Sequence, residues 1–146
     1  VGGYARPMPA SWMKRQAQAV HERAKQADIV ITTALIPGRK APTLLHEATV
    51  AEMKPGSVVI DLAAAQGGNC PLTEADQVVV RHGVTIVGHS NLAALVPADA
   101  SALYARNILD FLKLTLNAEG FSVNLEDDIV AACLMCRDGQ AVRKNG

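Results

Sequence analysis

The sequence predicts an α/β fold in which helices alternate with the strands of a doubly wound parallel sheet. Short apolar runs that suit strands alternate with segments whose apolar residues recur at helical spacing. Three of the apolar runs end in loops of small, polar and glycine residues, as strands do at the edge of a parallel sheet where ligands bind. With 146 residues, 49% of them hydrophobic, the chain can supply the core of one domain.

The first half of the chain is predicted to alternate regularly between helix and strand. Ser11 is a good N-cap residue and precedes an amphipathic pattern, while Pro55 and Gly56 end the second helix. The predicted elements are, in order, a helix at residues 11–25, a strand at 29–33, a helix at 47–53 and a strand at 57–62.

The second half is predicted to continue the sheet and then to change in character. Asp99 is expected to cap a long helix whose two apolar stripes indicate that it is covered on two sides. Asp138 and Gly139 form a hairpin-type turn signal. The predicted elements are buried strands at residues 77–81 and 84–88, a helix at 99–116, and short strands at 121–125 and 129–135.

Composition excludes several classes of function. With 14 basic and 14 acidic residues and 3% aromatic residues, the chain offers neither a basic field nor a stacking platform for nucleic acid. The apolar runs are too short to span a bilayer, and three cysteines do not make an even disulfide framework, which favours a reducing compartment. Val1 stands where a leader or an initiating Met would be expected, so we interpret the N-terminus as a cut within a longer polypeptide.

No metal site and no catalytic side chain are predicted. Cys133 and Cys136 have Cys-x-x-Cys spacing, but zinc would need a second pair of ligands. Two small apolar residues that fall near each other in a strand are the simpler interpretation. The four histidines are scattered singly along the chain.

Three loops that follow predicted parallel strands carry the functional signal. They are residues 32–38, 61–70 and 88–91, all rich in small residues that allow a ligand to approach the backbone. Taken singly, each also fits an ordinary turn or a flexible loop. Together they favour a shared cleft and a partial Rossmann-like sheet, although the phosphate-binding Gly-x-Gly-x-x-Gly of such domains does not occur in this sequence. Residues 2–9, rich in glycine and proline, suit either a flap over a ligand or a frayed terminus.

Four motifs occur in one order in the sequence, at residues 2–8, 32–38 with 40–42, 53–63, and 67–70. Together they resemble the NAD(H)-binding domain of the alpha subunit of proton-translocating NAD(P) transhydrogenases. The resemblance extends to about Leu116 and continues more weakly through the tail. The same superfamily includes alanine dehydrogenases, which carry an aspartate just before Gln-Gly-Gly; here that position is Ala65.

The resemblance implies a fold, a reaction and a set of contact residues. Residues 1–98 would be the second half of the NAD(H)-binding Rossmann domain, 99–118 a crossover helix, and 119–146 strands of a companion domain with a linker. Gly3 and Tyr4 would belong to a flap that closes over the nucleotide, and Thr33, Ala34 and Leu35 would contact the cofactor from the strand end. Arg6-Pro7 departs from the usual Lys-Glu of the flap.

The implied reaction is hydride exchange between NAD(H) here and NADP(H) on a partner component, coupled to proton movement through a membrane component. The implied setting is a peripheral homodimer at the cytoplasmic face of the bacterial inner membrane, without direct membrane insertion. Because the pyrophosphate-binding helix N-terminus is missing, the chain by itself is expected to bind NADH weakly or not at all and to be inactive. An alanine dehydrogenase-like oxidoreductase and a non-catalytic assembly module remain alternatives.

Overall fold

The computed structural model describes residues 8–36 and 38–142 and divides into two compact units, with the boundary between Leu92 and Ala93. Gly3 and Tyr4 of the predicted flap, Pro37 of the first loop, and residues 143–146 at the end of the predicted companion-domain segment lie outside the described residues. The three-part division into 1–98, 99–118 and 119–146 stays a prediction.

The first unit is built around a four-stranded sheet in the order β1-β2-β4-β3. Strands β1, β2 and β4 run parallel, and β3 pairs antiparallel with β4. The elements lie within two residues of their predicted positions. They are α1 (Ala10–Ala24), β1 (Ile29–Thr32), α2 (Glu47–Ala51), β2 (Val58–Asp61), β3 (Val78–Arg81) and β4 (Val84–Val87).

Helix α1 starts earlier than the sequence predicted and without the predicted cap. Its N-cap residue is Pro9, whose carbonyl oxygen accepts hydrogen bonds from the backbone N–H groups of Trp12 and Met13 at 2.9 and 3.1 Å. Ser11 therefore lies inside the first turn, and the prediction that it caps the helix was wrong. Proline is compatible with this place because its ring fixes φ, here −54°, and only its carbonyl oxygen is needed for the first helical bonds.

The core lies on one face of the sheet. The strand register aligns Val30, Val59, Ile86 and Val79 in one row across the sheet, and Val59 and Ile86 are fully buried. Leu45, in the loop before α2, packs into the same cluster, as do Ala24 of α1 and Val50 of α2. Helix α2 lies in the connection between β1 and β2, and its packing holds that connection against the sheet.

Strand β3 is not buried, which corrects the prediction from its apolar run. Val78 and Val80 are more than half exposed, and only Val79 packs against the core. The reason is its position, because β3 lies at one edge of the sheet and pairs with β4 alone. An apolar run does not by itself distinguish a central strand from an edge strand.

The second unit contains a long helix followed by two small hairpins and a short helix. Pro97 occupies the first turn of the long helix and Val96 is its N-cap, so the prediction that Asp99 caps it was wrong. Asp99 instead lies within the first turn, where a carboxylate interacts favourably with the helix dipole. The elements are α3 (Pro97–Thr115), β5 (Leu116–Asn117), β6 (Gly120–Phe121), α4 (Asp128–Cys133), β7 (Cys136–Arg137) and β8 (Gln140–Ala141).

The tail differs most from the prediction. The predicted strand at 121–125 contains only one strand residue, Phe121, and the predicted strand at 129–135 is mostly helix α4. Asp127 causes the second difference, because its Oδ1 accepts hydrogen bonds from the N–H groups of Ile129 and Val130 at 2.9 and 3.0 Å and so caps a helix. The predicted turn between β7 and β8 is confirmed.

Candidate nucleotide-binding site

The three loops predicted to share a cleft lie together at one edge of the sheet. They follow β1, β2 and β4, which are adjacent and parallel, so their carboxyl ends meet there. Ala34 of the first loop is hydrogen-bonded to Asn69 of the second. The side chain of Thr73 lies between the second and third loops, where a Cβ added to either Gly68 or Gly88 would come within 3.1 Å of it.

Asp61, the last residue of β2, is fully buried and organises the second loop. Its Oδ1 accepts hydrogen bonds from the Thr32 hydroxyl at 3.2 Å and the Ala63 N–H at 3.0 Å. Its Oδ2 accepts three more, from the N–H groups of Asn69 and Cys70 at 2.7 and 3.1 Å and from the Thr73 hydroxyl at 2.7 Å. All five partners are donors, as a carboxylate requires because it can only accept hydrogen bonds.

Asn69 is also fully buried and joins the first loop to the second. Its Oδ1 accepts from the Ala34 N–H at 3.1 Å, and its Nδ2 donates to the carbonyl oxygens of Ala34 at 3.0 Å and Pro42 at 2.8 Å. Its backbone carbonyl accepts from the N–H groups of Leu44 and Leu45 at 2.9 and 3.1 Å. The carboxamide thus bonds both backbone groups of one residue in the turn after β1.

Gly68 allows the chain to pass close to Asp61. Its φ is +76°, a backbone conformation that favours glycine, and a Cβ there would lie 2.7 Å from Asp61 Oδ2. Any other residue would displace the carboxylate or the loop. This explains why a glycine comes immediately before Asn69, whose N–H must reach the same oxygen.

Of the five predicted cofactor contacts, the structure describes three. Thr33 and Leu35 are exposed and Ala34 is half-buried, in a turn where the Leu35 N–H donates to the Thr33 carbonyl at 2.9 Å. Since Asn69 occupies both backbone groups of Ala34, this turn presents to its surroundings chiefly the side chains of Thr33 and Leu35. Lys40 is exposed nearby, with its aliphatic stem against Gly67.

The third loop is held by hydrogen bonds between its Ser90 and Asp76, which precedes β3. Asp76 Oδ1 accepts hydrogen bonds from the Ser90 N–H at 3.0 Å and the Ser90 hydroxyl at 2.5 Å. These bonds stabilise the charged carboxylate and hold the pKa of Asp76 below its ordinary value. Gly88 packs so closely that a Cβ would lie 2.2 Å from the Glu74 carbonyl oxygen.

The remaining residues of interest form no reactive cluster. Ala65 is exposed in a single 3₁₀ turn after β2 and provides no carboxylate. Burial raises the pKa of the Cys70 thiol, while Cys133 and Cys136 are exposed. Within residues 8–36 and 38–142, no group of three or more His, Cys, Asp or Glu side chains could hold a metal ion, and no helix is long and apolar enough to cross a membrane.

Sequence reasoning included Asp61 and Asn69 in a loop but gave them no role. A signal was present, since a strand that is otherwise Val-Val-Ile ends in a charged residue, and a buried charge requires partners. The partners themselves come from residues up to 29 positions away for Asp61 and 35 for Asn69. Only these distant pairings are set by the sheet, since the other four donors to Asp61 come from residues within 12 positions of it.

Comparison with known proteins places these features in a family. A sequence model of the alanine dehydrogenase/PNT C-terminal domain matches residues 6–144. The first of the polypeptides that make up the NAD(P) transhydrogenase alpha subunit of Rhodospirillum rubrum is 50% identical over 143 residues, which are 97% of this chain and 37% of that protein. The crystal structure of transhydrogenase from Sinorhizobium meliloti aligns with a TM-score of 0.76 and 43% identity, covering 93% of this chain and 38% of that one.

Alanine dehydrogenases are more distant. The enzyme of Lysinibacillus sphaericus is 35% identical over 97 residues, which are 63% of this chain and 26% of that protein. In each of these comparisons the chain spans well under half the length of the protein that it matches.

Proposed function

The chain belongs to the alanine dehydrogenase/PNT C-terminal domain family, and on that premise we propose that it forms part of the NAD(H)-binding component of a proton-translocating NAD(P) transhydrogenase. The observation that carries the proposal is the turn after β1, where Thr33 and Leu35 are exposed at the carboxyl edge of three parallel strands. A dinucleotide binds at this edge in open α/β sheets. The relative from Rhodospirillum rubrum, 50% identical to this chain, belongs to a transhydrogenase alpha subunit, which agrees with this assignment.

The residues present fit a bound NAD(H). The methyl group of Ala34 and the side chain of Leu35 offer a small apolar surface, and the Thr33 hydroxyl offers one hydrogen-bonding group. When bound, the nicotinamide supplies the hydride chemistry. The chain's own part is to position the cofactor, through a turn whose backbone is fixed by Asn69 and, behind it, Asp61.

Further parts of the proposal extend the same assignment. Gly3 and Tyr4 would close over the nucleotide as a flap. NADP(H) would be held by a partner component, and a membrane component would couple hydride exchange to proton movement. We further propose a homodimer, peripheral to the cytoplasmic face of a bacterial inner membrane.

An alanine dehydrogenase-like activity is the second candidate, and two observations disfavour it. Identity to the alanine dehydrogenase is lower and covers less of the chain than identity to the transhydrogenase subunit. Ala65 also leaves the 3₁₀ turn without a carboxylate that could assist proton transfer to or from an amino acid. A non-catalytic assembly module, the third alternative, would keep the sheet but bind no nucleotide.

A chimera tests the proposal. The 143 matching residues of the Rhodospirillum rubrum subunit would be replaced by this chain, and NADH binding would be followed by the change in NADH fluorescence. We expect the chimera to bind NADH and the isolated chain to bind it far more weakly, because the isolated sequence lacks a Gly-x-Gly-x-x-Gly phosphate site. A folded chimera that does not bind NADH would contradict the proposal and favour the assembly module. Oxidative deamination of alanine by the chimera would favour the alanine dehydrogenase.

A further inference from the structure

We propose that Asn69 is a positioning residue for NAD(H): its buried carboxamide sets the shape of the turn at residues 33–35 that contacts the cofactor. The inference rests on the proposed function, since it takes that turn as the cofactor contact. It assigns a specific role to a side chain that lies behind the binding surface and does not itself face the ligand, because Asn69 is fully buried.

The geometry requires an amide at this position. The two bonds to Ala34 run in opposite directions, with Oδ1 accepting at 3.1 Å and Nδ2 donating at 3.0 Å. An asparagine side chain therefore replaces the pair of bonds that a neighbouring strand would make to the same residue. A carboxylate would lose the donor, and a hydroxyl offers a single oxygen where two separate atoms are needed.

The carboxamide is held in place from both sides of its own backbone. The Asn69 N–H donates to Asp61 Oδ2 at 2.7 Å, and the Asn69 carbonyl accepts from Leu44 and Leu45. The remaining Nδ2 hydrogen is bonded to the Pro42 carbonyl at 2.8 Å. With all of these groups engaged, the side chain cannot rotate away from Ala34 without breaking buried hydrogen bonds, each of which is costly to leave unmade.

The consequence for the ligand is a turn that is already in its binding conformation. Both backbone groups of Ala34 are hydrogen-bonded to Asn69, so Thr33 and Leu35 are presented in fixed relative positions. A preorganised contact avoids the free-energy cost of ordering on binding. If the turn were released, that cost would fall on every binding event and the affinity would drop.

The test is the Asn69→Asp variant of the Rhodospirillum rubrum chimera, with Thr49→Val as a matched control. Asn69→Asp keeps the size and the acceptor but removes both Nδ2 hydrogens. Thr49→Val removes a buried hydroxyl of α2 that bonds His21 Nδ1 of α1 at 2.9 Å, outside the turn at residues 33–35. We expect both variants to lower Tm, while only Asn69→Asp raises the Kd for NADH, by about 10- to 100-fold in the folded protein.

A merely structural role predicts a different outcome. In that case the two variants would lower Tm, yet the folded fraction of each would bind NADH with unchanged Kd, and the inference would be overturned. A chimera that binds no NADH even without substitution refutes the proposed function together with this inference. Equal NADH affinity with and without the substitution refutes this inference alone.

Amide hydrogen exchange provides a readout that needs no variant. In the unmodified protein the Ala34 amide should be protected although it lies in a half-buried loop, because it donates to a fully buried oxygen. Free exchange of this amide would overturn the inference even if Asn69→Asp failed to fold.

Discussion

Replacing Asp61 with asparagine keeps the size of a fully buried side chain but halves its capacity to accept hydrogen bonds. The amide oxygen would turn toward the side of Oδ2, which receives three bonds, and the amide nitrogen would replace Oδ1. The Thr32 hydroxyl can reverse and accept a bond from that nitrogen. The Ala63 N–H can only donate, so it would lose its acceptor at 3.0 Å and face the N–H₂ group of the new amide instead.

The expected cost follows from these contacts. An unsatisfied buried N–H costs roughly 1–3 kcal/mol, and the surviving bonds lose the strength that a charged acceptor gives them. We therefore expect Asp61→Asn to reduce the free energy of unfolding by about 3 kcal/mol, a large part of the roughly 5–15 kcal/mol that stabilises a typical domain. For a unit of fewer than a hundred residues, such a loss lowers Tm by roughly 10 °C or more.

Urea unfolding followed by circular dichroism measures the change, with Asp28→Asn as the control. The side chain of Asp28 is 82% exposed and pairs with Lys54 at 2.8 Å on the surface, so its substitution should cost less than about 1 kcal/mol. If Asp61→Asn were no more destabilising than Asp28→Asn, the five bonds around Asp61 would not exist as described and the reasoning would fail.

Three further predictions concern Gly68, the Asp76–Ser90 contact and the three cysteines. Gly68→Ala should lower the free energy of unfolding by about 1–3 kcal/mol in urea unfolding. The new Cβ would lie 2.7 Å from Asp61 Oδ2, and residue 68 has a φ of +76° that favours glycine. Unchanged stability would contradict the close approach. Ser90→Ala should raise the pKa of Asp76 toward its ordinary value in an NMR titration. Because the folded-state pKa is lowered in the unsubstituted protein, the stability that Asp76 contributes there should be present at neutral pH and be lost as the pH falls through that pKa. Native chain treated with iodoacetamide should be modified rapidly at the two exposed cysteines and slowly at Cys70, whose thiol pKa burial raises; mass spectrometry that finds equal rates would refute this.

Much of the first unit could be predicted from the sequence because its signals are local. Glycine and proline mark the ends of elements, and the alternation of apolar runs with helical spacing gives the order of helices and strands. What the sequence could not give was which strands lie at the two edges of the sheet. The run that forms β3 is as apolar as a central strand, and its exposure follows from its antiparallel pairing at the end of the sheet.

The tail shows where local signals mislead. Residues 129–135 read as a strand because β-branched and small apolar residues follow one another without interruption. The competing signal was Asp127, an N-cap residue whose oxygen bonds two successive N–H groups and starts helix α4. Only Val130 of this helix is buried. The burial pattern of the segment therefore offers little further signal that it is a helix.

The candidate site divides in the same way between local and distant determinants. The pattern at residues 33–35 indicates where a ligand would make contact, since small and apolar residues at a strand end suit that position. The conformation of the turn, however, depends on a side chain 35 residues further along the chain. A recognisable cofactor motif is therefore incomplete without the buried amide that fixes its backbone. A relative that kept the motif but had a residue other than asparagine at the equivalent of Asn69 would need another donor and acceptor to hold the turn, or would bind the cofactor less tightly.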